Sequence, residues 1–599
     1  MKKQIYNPYL PLSTCIPDGE PHVFGDRVYI YGSHDKEGGD AFCMLDYEVW
    51  SAPVDDLSDW RCEGTIYRAE QDPEYGKPNR YMYAPDVVRG NDGRYYLYYA
   101  MAGGEFTGPI HVAVCDTPAG SYEYYGSVRN ADGTTFRRGI TFDPGLLNDE
   151  GTIWLYYGWS LAVEDRPIPA PDDDSQEAKV FREQLIEAQV QIFGKTRQEI
   201  EAEPQGIMGA NVVRLADDMV TVIGEPIRIV PGQFDAAGTS FERHAFFEAS
   251  SMRKIGDTYY FIYSPQHQDA LCYATSRYPD RDFVYRGILV SNGDVWLHGR
   301  SMEERLWMTG NNHGSIEKIG GQWYVFYHRQ THGTTYSRQG CAEPVEILED
   351  GSISQAEMTT QGLNGAPLRA QGAYPAPIAC CLTNGHMPHT QAQSCADDVP
   401  RVTHEGEERF IARIGSGTLV GYKYFAFEGE SELTLRLRGT GSGELIVLTG
   451  VPGTVESTLS QGISEQESRN ADERKMADVE AKDMRGQESQ EAAATGQDAA
   501  AAASHMSGIA LQEAARISVR PQQEWHEART AFSAQGVQAM YLYYQGEGTI
   551  DLEQIAFPEC RSGACGSAVC TAENTRENRE GEENECIISG NIRSGIARK

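Results

Sequence analysis

Five short segments of this chain share one pattern, a small polar turn followed by an aromatic and β-branched run. They are Gly25-Asp26-Arg27-Val28-Tyr29-Ile30-Tyr31, Asp92-Gly93-Arg94-Tyr95-Tyr96-Leu97-Tyr98, Glu150-Gly151-Thr152-Ile153-Trp154-Leu155-Tyr156, Gly256-Asp257-Thr258-Tyr259-Tyr260-Phe261-Ile262 and Gly320-Gly321-Gln322-Trp323-Tyr324-Val325-Phe326. Gly and Asp supply the turn chemistry, and Tyr, Val and Ile suit a pleated strand, so each segment reads as a strand entered through a hairpin turn. The starts at 25, 92, 150, 256 and 320 are separated by 67, 58, 106 and 64 residues. The long third interval holds a run rich in Glu, Gln, Ala, Lys and Leu, which predicts a helical insertion at about 165–205. Without it the period is about 60 to 65 residues, enough for a four-stranded antiparallel blade. Five such blades predict an all-β, five-bladed β-propeller over residues 1–350.

A second regularity lies just ahead of each turn. Asp18, Asp86, Asp143, Glu248 and His313 stand seven to nine residues before the second turn residue of their segment. The innermost strand of every blade lines the central channel, so equivalent positions on those strands converge on one axis. Side chains more than 200 residues apart in sequence are thereby expected to share a pocket.

Lys plus Arg number 52 against 87 Asp plus Glu, a formal charge of −35. That field repels phosphate backbones and anionic headgroups, which argues against nucleic acid and membrane as partners and leaves a neutral substrate unaffected. The N-terminal residues lack an apolar run long enough for a signal peptide, and no stretch of about 18 apolar residues occurs, so a cytoplasmic protein is expected. The 13 cysteines are scattered and odd in number, which favours free thiols over a disulfide framework.

The contexts Ile16-Pro17-Asp18, Val23-Phe24-Gly25-Asp26, Tyr83-Ala84-Pro85-Asp86-Val87 and Phe142-Asp143-Pro144-Gly145-Leu146, in the five-blade register, resemble glycoside hydrolase family 43 over residues 5–350. This family comprises β-xylosidases and α-L-arabinofuranosidases on a five-bladed propeller. The resemblance implies Asp18 as general base, Glu248 as general acid and Asp143 as the third carboxylate, which tunes and orients the acid. It further implies Asp86, His313 and Arg338 in the sugar-binding pocket, with His313 at the axis beside a water cluster or as a ligand of a structural calcium ion, and with no cofactor required for chemistry. Two positions depart from the family pattern: Gly19 follows the base where Asp-Pro is usual, and Ala249-Ser250 follow the acid where Gly-Pro is common.

Two carboxyl groups, one protonated and one ionised, are what glycoside hydrolysis demands, and inversion needs them about 6.5 to 9.5 Å apart so that a water fits. Glu248 is protonated at neutral pH only if burial or a nearby negative charge raises its pKa, and Asp143 is the candidate charge. The expectation is an inverting exo-glycosidase acting on oligosaccharides carrying xylose or arabinofuranose. A sugar-binding propeller without catalysis and a retaining five-bladed glycosidase are the alternatives. Tyr83 and Trp159 are candidates for stacking on sugar rings, and the oligomeric state is left open.

Beyond about residue 350 the repeat ends. Residues 351–415 read as a linking or wrapping segment, and alternating strands separated by Gly-rich turns predict a β-sandwich over 416–558. Gly421-Tyr422-Lys423-Tyr424-Phe425 and Tyr541-Leu542-Tyr543-Tyr544-Gln545-Gly546 resemble a carbohydrate-binding module of family 6, with packing on the propeller as an equal alternative. Residues 454–506 and 559–599 are poor in aromatics and are expected to be disordered.

Overall fold

The five turn segments become hairpins whose turn glycines, Gly25, Gly93, Gly151, Gly256 and Gly320, all have positive φ, between 58° and 92°. A side chain with a Cβ resists that region, which is why glycine recurs there. In this computed structural model, residues 3–558 are described except 78–79, 104–105, 162–167, 170–172, 204, 390–397 and 454–495. Each hairpin joins the first two strands of an antiparallel sheet. Blade I is β1 (Glu20–Phe24), β2 (Arg27–Tyr31), β3 (Tyr47–Pro53) and β4 (Arg61–Tyr67). Blade II is β5 (Tyr81–Arg89), β6 (Tyr95–Gly103), β7 (Phe106–Cys115) and β8 (Glu123–Ser127). Blade III is β9 (Gly145–Asp149), β10 (Thr152–Trp159), β11 (Gly209–Leu215) and β12 (Val222–Pro231), and blade IV is β13 (Phe246–Ile255), β14 (Thr258–Pro265), β15 (Ala270–Ser276) and β16 (Val284–Ser291). Blade V has only three strands, β17 (Ile316–Ile319), β18 (Gln322–Thr331) and β19 (Thr334–Val345).

What closes the ring is the N-terminal segment. Tyr9 N–H donates to Gly340 O, and the Asn7 amide both accepts from Ala342 N–H and donates to Ala342 O, so a side chain imitates a strand edge along β19. At the axis, Gly19 of blade I bridges Gly314 of blade V.

Each seam between neighbouring blades has its own apolar core. Tyr31, Val49, Val87 and Leu97 fill the seam of blades I and II; Tyr98, Val112, Leu155 and Val213 that of II and III. Val212, Phe246 and Phe261 pack between III and IV, Ile262, Leu289 and Val325 between IV and V, and Val28, Ile30, Phe326 and Ala342 between V and I. Burying each such aliphatic or aromatic side chain stabilises the fold by about 1.5–3 kcal/mol, so no single seam carries the propeller.

The helical insertion lies between β10 and β11. Helix α1 (Gln176–Phe193) starts where Ser175 accepts from Ala178 N–H and stops at Gly194 with φ 58°, and α2 (Arg197–Glu201) opens with a Thr196/Glu199 capping box. Phe193 and Ile200 bury against Phe142, and Trp159 packs partly buried on the same cluster.

The C-terminal region is one curled sheet of ten strands: β20 (Leu368–Arg369), β21 (Gly372–Pro375), β22 (Cys381–Thr383), β23 (Arg401–Glu405), β24 (Glu408–Ile414), β25 (Leu419–Gly439), β26 (Ser442–Gly450), β27 (Gln512–Val519), β28 (Gln522–Glu547) and β29 (Ile550–Phe557). Five of these strands lie in the stretch read from sequence as a link, because β20 to β24 complete the edges left by β25 and β29. Of the aromatics behind the binding-module resemblance, Tyr422, Tyr424, Phe425, Tyr541 and Tyr544 are buried in this domain and Tyr543 is partly buried. Of the 454–506 insertion, 454–495 lie outside the described residues and Gly496–Ser507 forms helix α3. The tail expected to be disordered, 559–599, also lies outside them.

The sheet domain docks on blade V. The buried Arg329 guanidinium donates to Pro377 O at 2.5 Å and Ala379 O at 2.6 Å, and Lys423 Nζ reaches Asp294 and Glu357 at 2.8 and 3.0 Å. Eight cysteines, among them Cys380 and Cys381, are free among the described residues, and no described helix is long and apolar enough to cross a membrane.

Candidate active site

Asp18, Asp143 and Glu248, from blades I, III and IV, come within electrostatic reach of one another; Asp18 and Asp143 are buried and Glu248 is half-buried. The backbone that aims them is unusual. Asp18 has φ 58°, Asp143 has φ 44°, and Ala249 beside Glu248 has φ 71°. Left-handed conformations at non-glycine residues are costly and persist only where the surroundings enforce them. Here one of them is put to use, since the Ala249 N–H donates to Asp143 Oδ2 at 3.0 Å. The inner strands also approach closely: a Cβ on Gly145 would lie 2.4 Å from Ser250 O, and one on Gly314 would lie 1.9 Å from Phe326 O.

Asp18 is held by a clamp. Arg338 Nη1 donates to Asp18 Oδ1 at 2.8 Å, while Nε and Nη2 of the same guanidinium grip Asp35 at 2.8 and 3.0 Å. Cys43 N–H also donates to Asp35, and the Phe42 ring lies under the guanidinium, 4.7 Å from its carbon. His328 adds its Nδ1 at 3.3 Å from Asp18 Oδ1, with its Nε2 fixed by Asn311 O at 2.8 Å. Burial works against the charge on Asp18, but Arg338, His328 and His313 together hold its carboxyl far below the usual range. Asp18 is therefore ionised at every physiological pH.

Glu248 is in the opposite condition. Burial, then the negative charge of Asp18, pushes it up to about 7, against the hydrogen bonds from Trp159 and Asn311 and the pull of Arg338. Trp159 Nε1–H donates to Glu248 Oε2 at 3.0 Å, and its indole is wedged between Phe193 of α1 and Phe247, each 5.3 Å away. Asp143 is raised well above the carboxylate range by burial, by Glu248 and by Asp18. Glu248 and Asp143 thus titrate as a pair in which a proton is retained near neutrality.

Two residues expected to touch the sugar are otherwise engaged. Asp86 is fully buried, and its oxygens meet His22 Nε2, Val87 N–H and Leu146 N–H, all at 2.6 Å. It ties blades I, II and III together instead of facing a pocket. Arg338 is 2% exposed, with its fork committed to Asp35 and Asp18.

His313 does reach the carboxylate group: its Nδ1 lies 3.6 Å from Asp143 Oδ2, and burial, opposed by Asp18, pushes it down to about 4, leaving a neutral ring. Two groups of three potential metal-binding side chains lie among the described residues, Glu37/His332/His404 and Glu20/His22/Asp86, and His313 belongs to neither.

Asp35 and His328 were not picked out in the sequence, and Trp159 was noted only as a stacking candidate. Asp35 follows β2 in Ser33-His34-Asp35, and His328 lies in β18, so both sit outside the repeat position that marked the others.

Residues 7–168 and 192–353 match the family described as glycosyl hydrolases family 43. A xylosidase/arabinosidase of Thermoclostridium stercorarium is 44% identical over 468 residues, covering 76% of this chain and 90% of that protein. A xylosidase/arabinosidase of Bacteroides ovatus is 29% identical over 367 residues, 58% of this chain and 97% of that protein. A solved family 43 enzyme of Xanthomonas citri, complexed with xylotriose, is 26% identical, covers 59% of this chain and 94% of its own, and superposes with a TM-score of 0.43. The chain belongs to glycosyl hydrolase family 43.

Proposed function

We propose that this glycoside hydrolase is an inverting exo-glycosidase that releases xylose, arabinofuranose or both from oligosaccharides, with Asp18 as general base and Glu248 as general acid. The observation that carries the reading is the contrast in partners of the two carboxyls: Arg338 Nη1 donates to Asp18 at 2.8 Å and holds it ionised, whereas Glu248, met by the neutral Trp159 Nε1–H at 3.0 Å, is pushed up to about 7. The names of the Thermoclostridium and Bacteroides relatives supply the sugar classes.

In the proposed step, water attacks the anomeric carbon from the face opposite the leaving group while Asp18 accepts one of its protons. The glycosidic C–O bond breaks as Glu248 delivers its proton to the departing oxygen, and the products are the inverted sugar and an alcohol. Asp18 ends protonated and Glu248 ionised, and solvent exchange restores both. The charge that raises Glu248 is that of Asp18 and not, as expected from the sequence, that of Asp143; Asp143, itself raised by burial and by Glu248, acts on Glu248 rather than on the sugar by fixing, through Ala249 N–H, the strand that carries it. His313 is neutral and contributes a ring nitrogen beside Asp143, and the chemistry needs no cofactor.

The test is hydrolysis of alkyl β-D-xylopyranoside and alkyl α-L-arabinofuranoside, whose leaving groups need a proton, with product anomers followed by NMR, for the native enzyme beside Asp18→Ala and Glu248→Gln. The proposal requires the inverted anomer to appear first and both variants to lose turnover of whichever glycoside is cleaved. Appearance of the retained anomer first would overturn it.

A further inference from the structure

Outside the active site, three side chains from three parts of the chain converge where blade I, blade V and the C-terminal sheet meet. Glu37 comes from the loop after β2, His332 from the turn between β18 and β19, and His404 from β23. His332 Nε2 lies 2.8 Å from His404 Nδ1, and Glu37 Oε1 lies 3.9 Å from the first and 3.6 Å from the second. A tetrahedral ion bonded at about 2.0–2.1 Å sets its ligand atoms roughly 3.3–3.4 Å apart, so an ion would replace the hydrogen bond between the two imidazoles, parting them by roughly 0.5 Å and drawing Glu37 in.

The surroundings match those of a metal centre. His332 Nδ1, the nitrogen turned away from the group, meets Thr331 Oγ1 at 2.9 Å and Ser337 Oγ at 3.1 Å, which fixes the ring's orientation. Arg409 orients Glu37 through both oxygens, Nη2 to Oε2 at 2.8 Å and Nε to the Oε1 that faces the histidines at 3.2 Å. His332 itself is held at φ 59° while its N–H donates to Val402 O of the C-terminal sheet at 2.7 Å. His404 is partly open to solvent, which leaves an entry path and room for a water as fourth ligand.

We propose that Glu37, His332 and His404 form a structural binding site for one divalent cation of the zinc class. Two imidazoles and one carboxylate suit zinc or cobalt, whereas calcium and magnesium prefer all-oxygen shells. The ion's consequence reaches the active site through two short covalent links. Glu37 is two residues from Asp35, and Ser337 Oγ, which accepts from Gly38 N–H at 3.0 Å, precedes Arg338. A bound ion pins the C-terminal sheet to both sides of the Asp35–Arg338 clamp that sets Asp18.

The full-length protein, stripped with a chelator and dialysed, is titrated with Zn²⁺ by calorimetry and with Co²⁺ by visible absorption, beside His404→Ala and Glu37→Gln. The expected result is one zinc equivalent per chain, weakened at least about 10-fold in each variant, with intense tetrahedral cobalt bands that the variants lose. Zinc is also expected to raise the melting temperature of the native chain and not of His404→Ala. Glu37→Gln keeps the side chain's shape, so it remains informative if His404→Ala folds poorly. Absence of zinc binding in the native chain overturns the proposal, and so does equal affinity in the native chain and the variants, which would place the ion elsewhere, as at Glu20, His22 and Asp86.

Discussion

Asp86 and Glu248 occupy the same place in their respective blades, and the surroundings make opposite residues of them. Asp86 has every oxygen met by a donor from blade I, II or III, so its burial is compensated and its work is to hold blades together. Glu248 has one indole N–H and the Asn311 side chain against burial and the charge of Asp18, and the balance favours its protonated form. A carboxyl surrounded by donors becomes a rivet, and one left short of them in an acidic neighbourhood becomes a proton store.

The contrast is sharpest in activity. Glu248→Gln is expected to lower kcat/KM for glycosides with poor leaving groups by about 10²–10⁴-fold, and far less for activated aryl glycosides that depart without a proton. Asp86→Ala is expected to keep kcat within about 10-fold in the folded fraction. Comparable losses in steady-state assays of the two folded variants would erase the distinction. Stability reverses the order. Asp86→Ala strands two backbone N–H groups and a histidine and is expected to cost on the order of 3 kcal/mol in denaturant unfolding. Glu248→Gln is expected to stabilise the protein at pH 8 by about 1 kcal/mol. The sign follows because a carboxyl raised from 4.5 to about 7 binds its proton more tightly when folded, so the native enzyme loses stability as pH rises through that window.

The clamp gives a finer test. Replacing Arg338 by Met removes the positive charge that keeps Asp18 ionised, so the acid limb of kcat/KM is expected to move to higher pH, while the native profile stays flat down to the lowest pH at which the enzyme is folded. The smallest effect belongs to Trp159→Phe. Losing its N–H removes one influence that lowers the Glu248 pKa, and the alkaline limb is expected to shift upward by a fraction of a pH unit.

Much of this was legible in the sequence because the information was periodic. Turn glycines and aromatic strands repeat, so the five blades and the register of Asp18, Asp86, Asp143, Glu248 and His313 can be read without a structure. Register places a residue near the axis but does not say what meets its side chain. His22 and Leu146 satisfy Asp86 from other blades, and Asp35 takes the Arg338 fork across 303 positions. Those bonds depend on how neighbouring sheets twist past each other, and no local pattern encodes them. The role of the insertion was hidden for the same reason: composition predicts helices, while only packing shows Phe193 bracing the indole that bonds Glu248. The strands of 368–414 escaped because several are only two to five residues long and exist as edges for strands distant in sequence.

The account rests most directly on Glu248 as the group that must carry a proton. The decisive measurement is kcat/KM against pH for a glycoside with a poor leaving group, with the native enzyme beside Glu248→Gln. The native profile is predicted to fall as pH rises through about 7, and that limb is predicted to vanish in the variant. An alkaline limb that survives unchanged in Glu248→Gln would contradict the assignment and move the proton to another group.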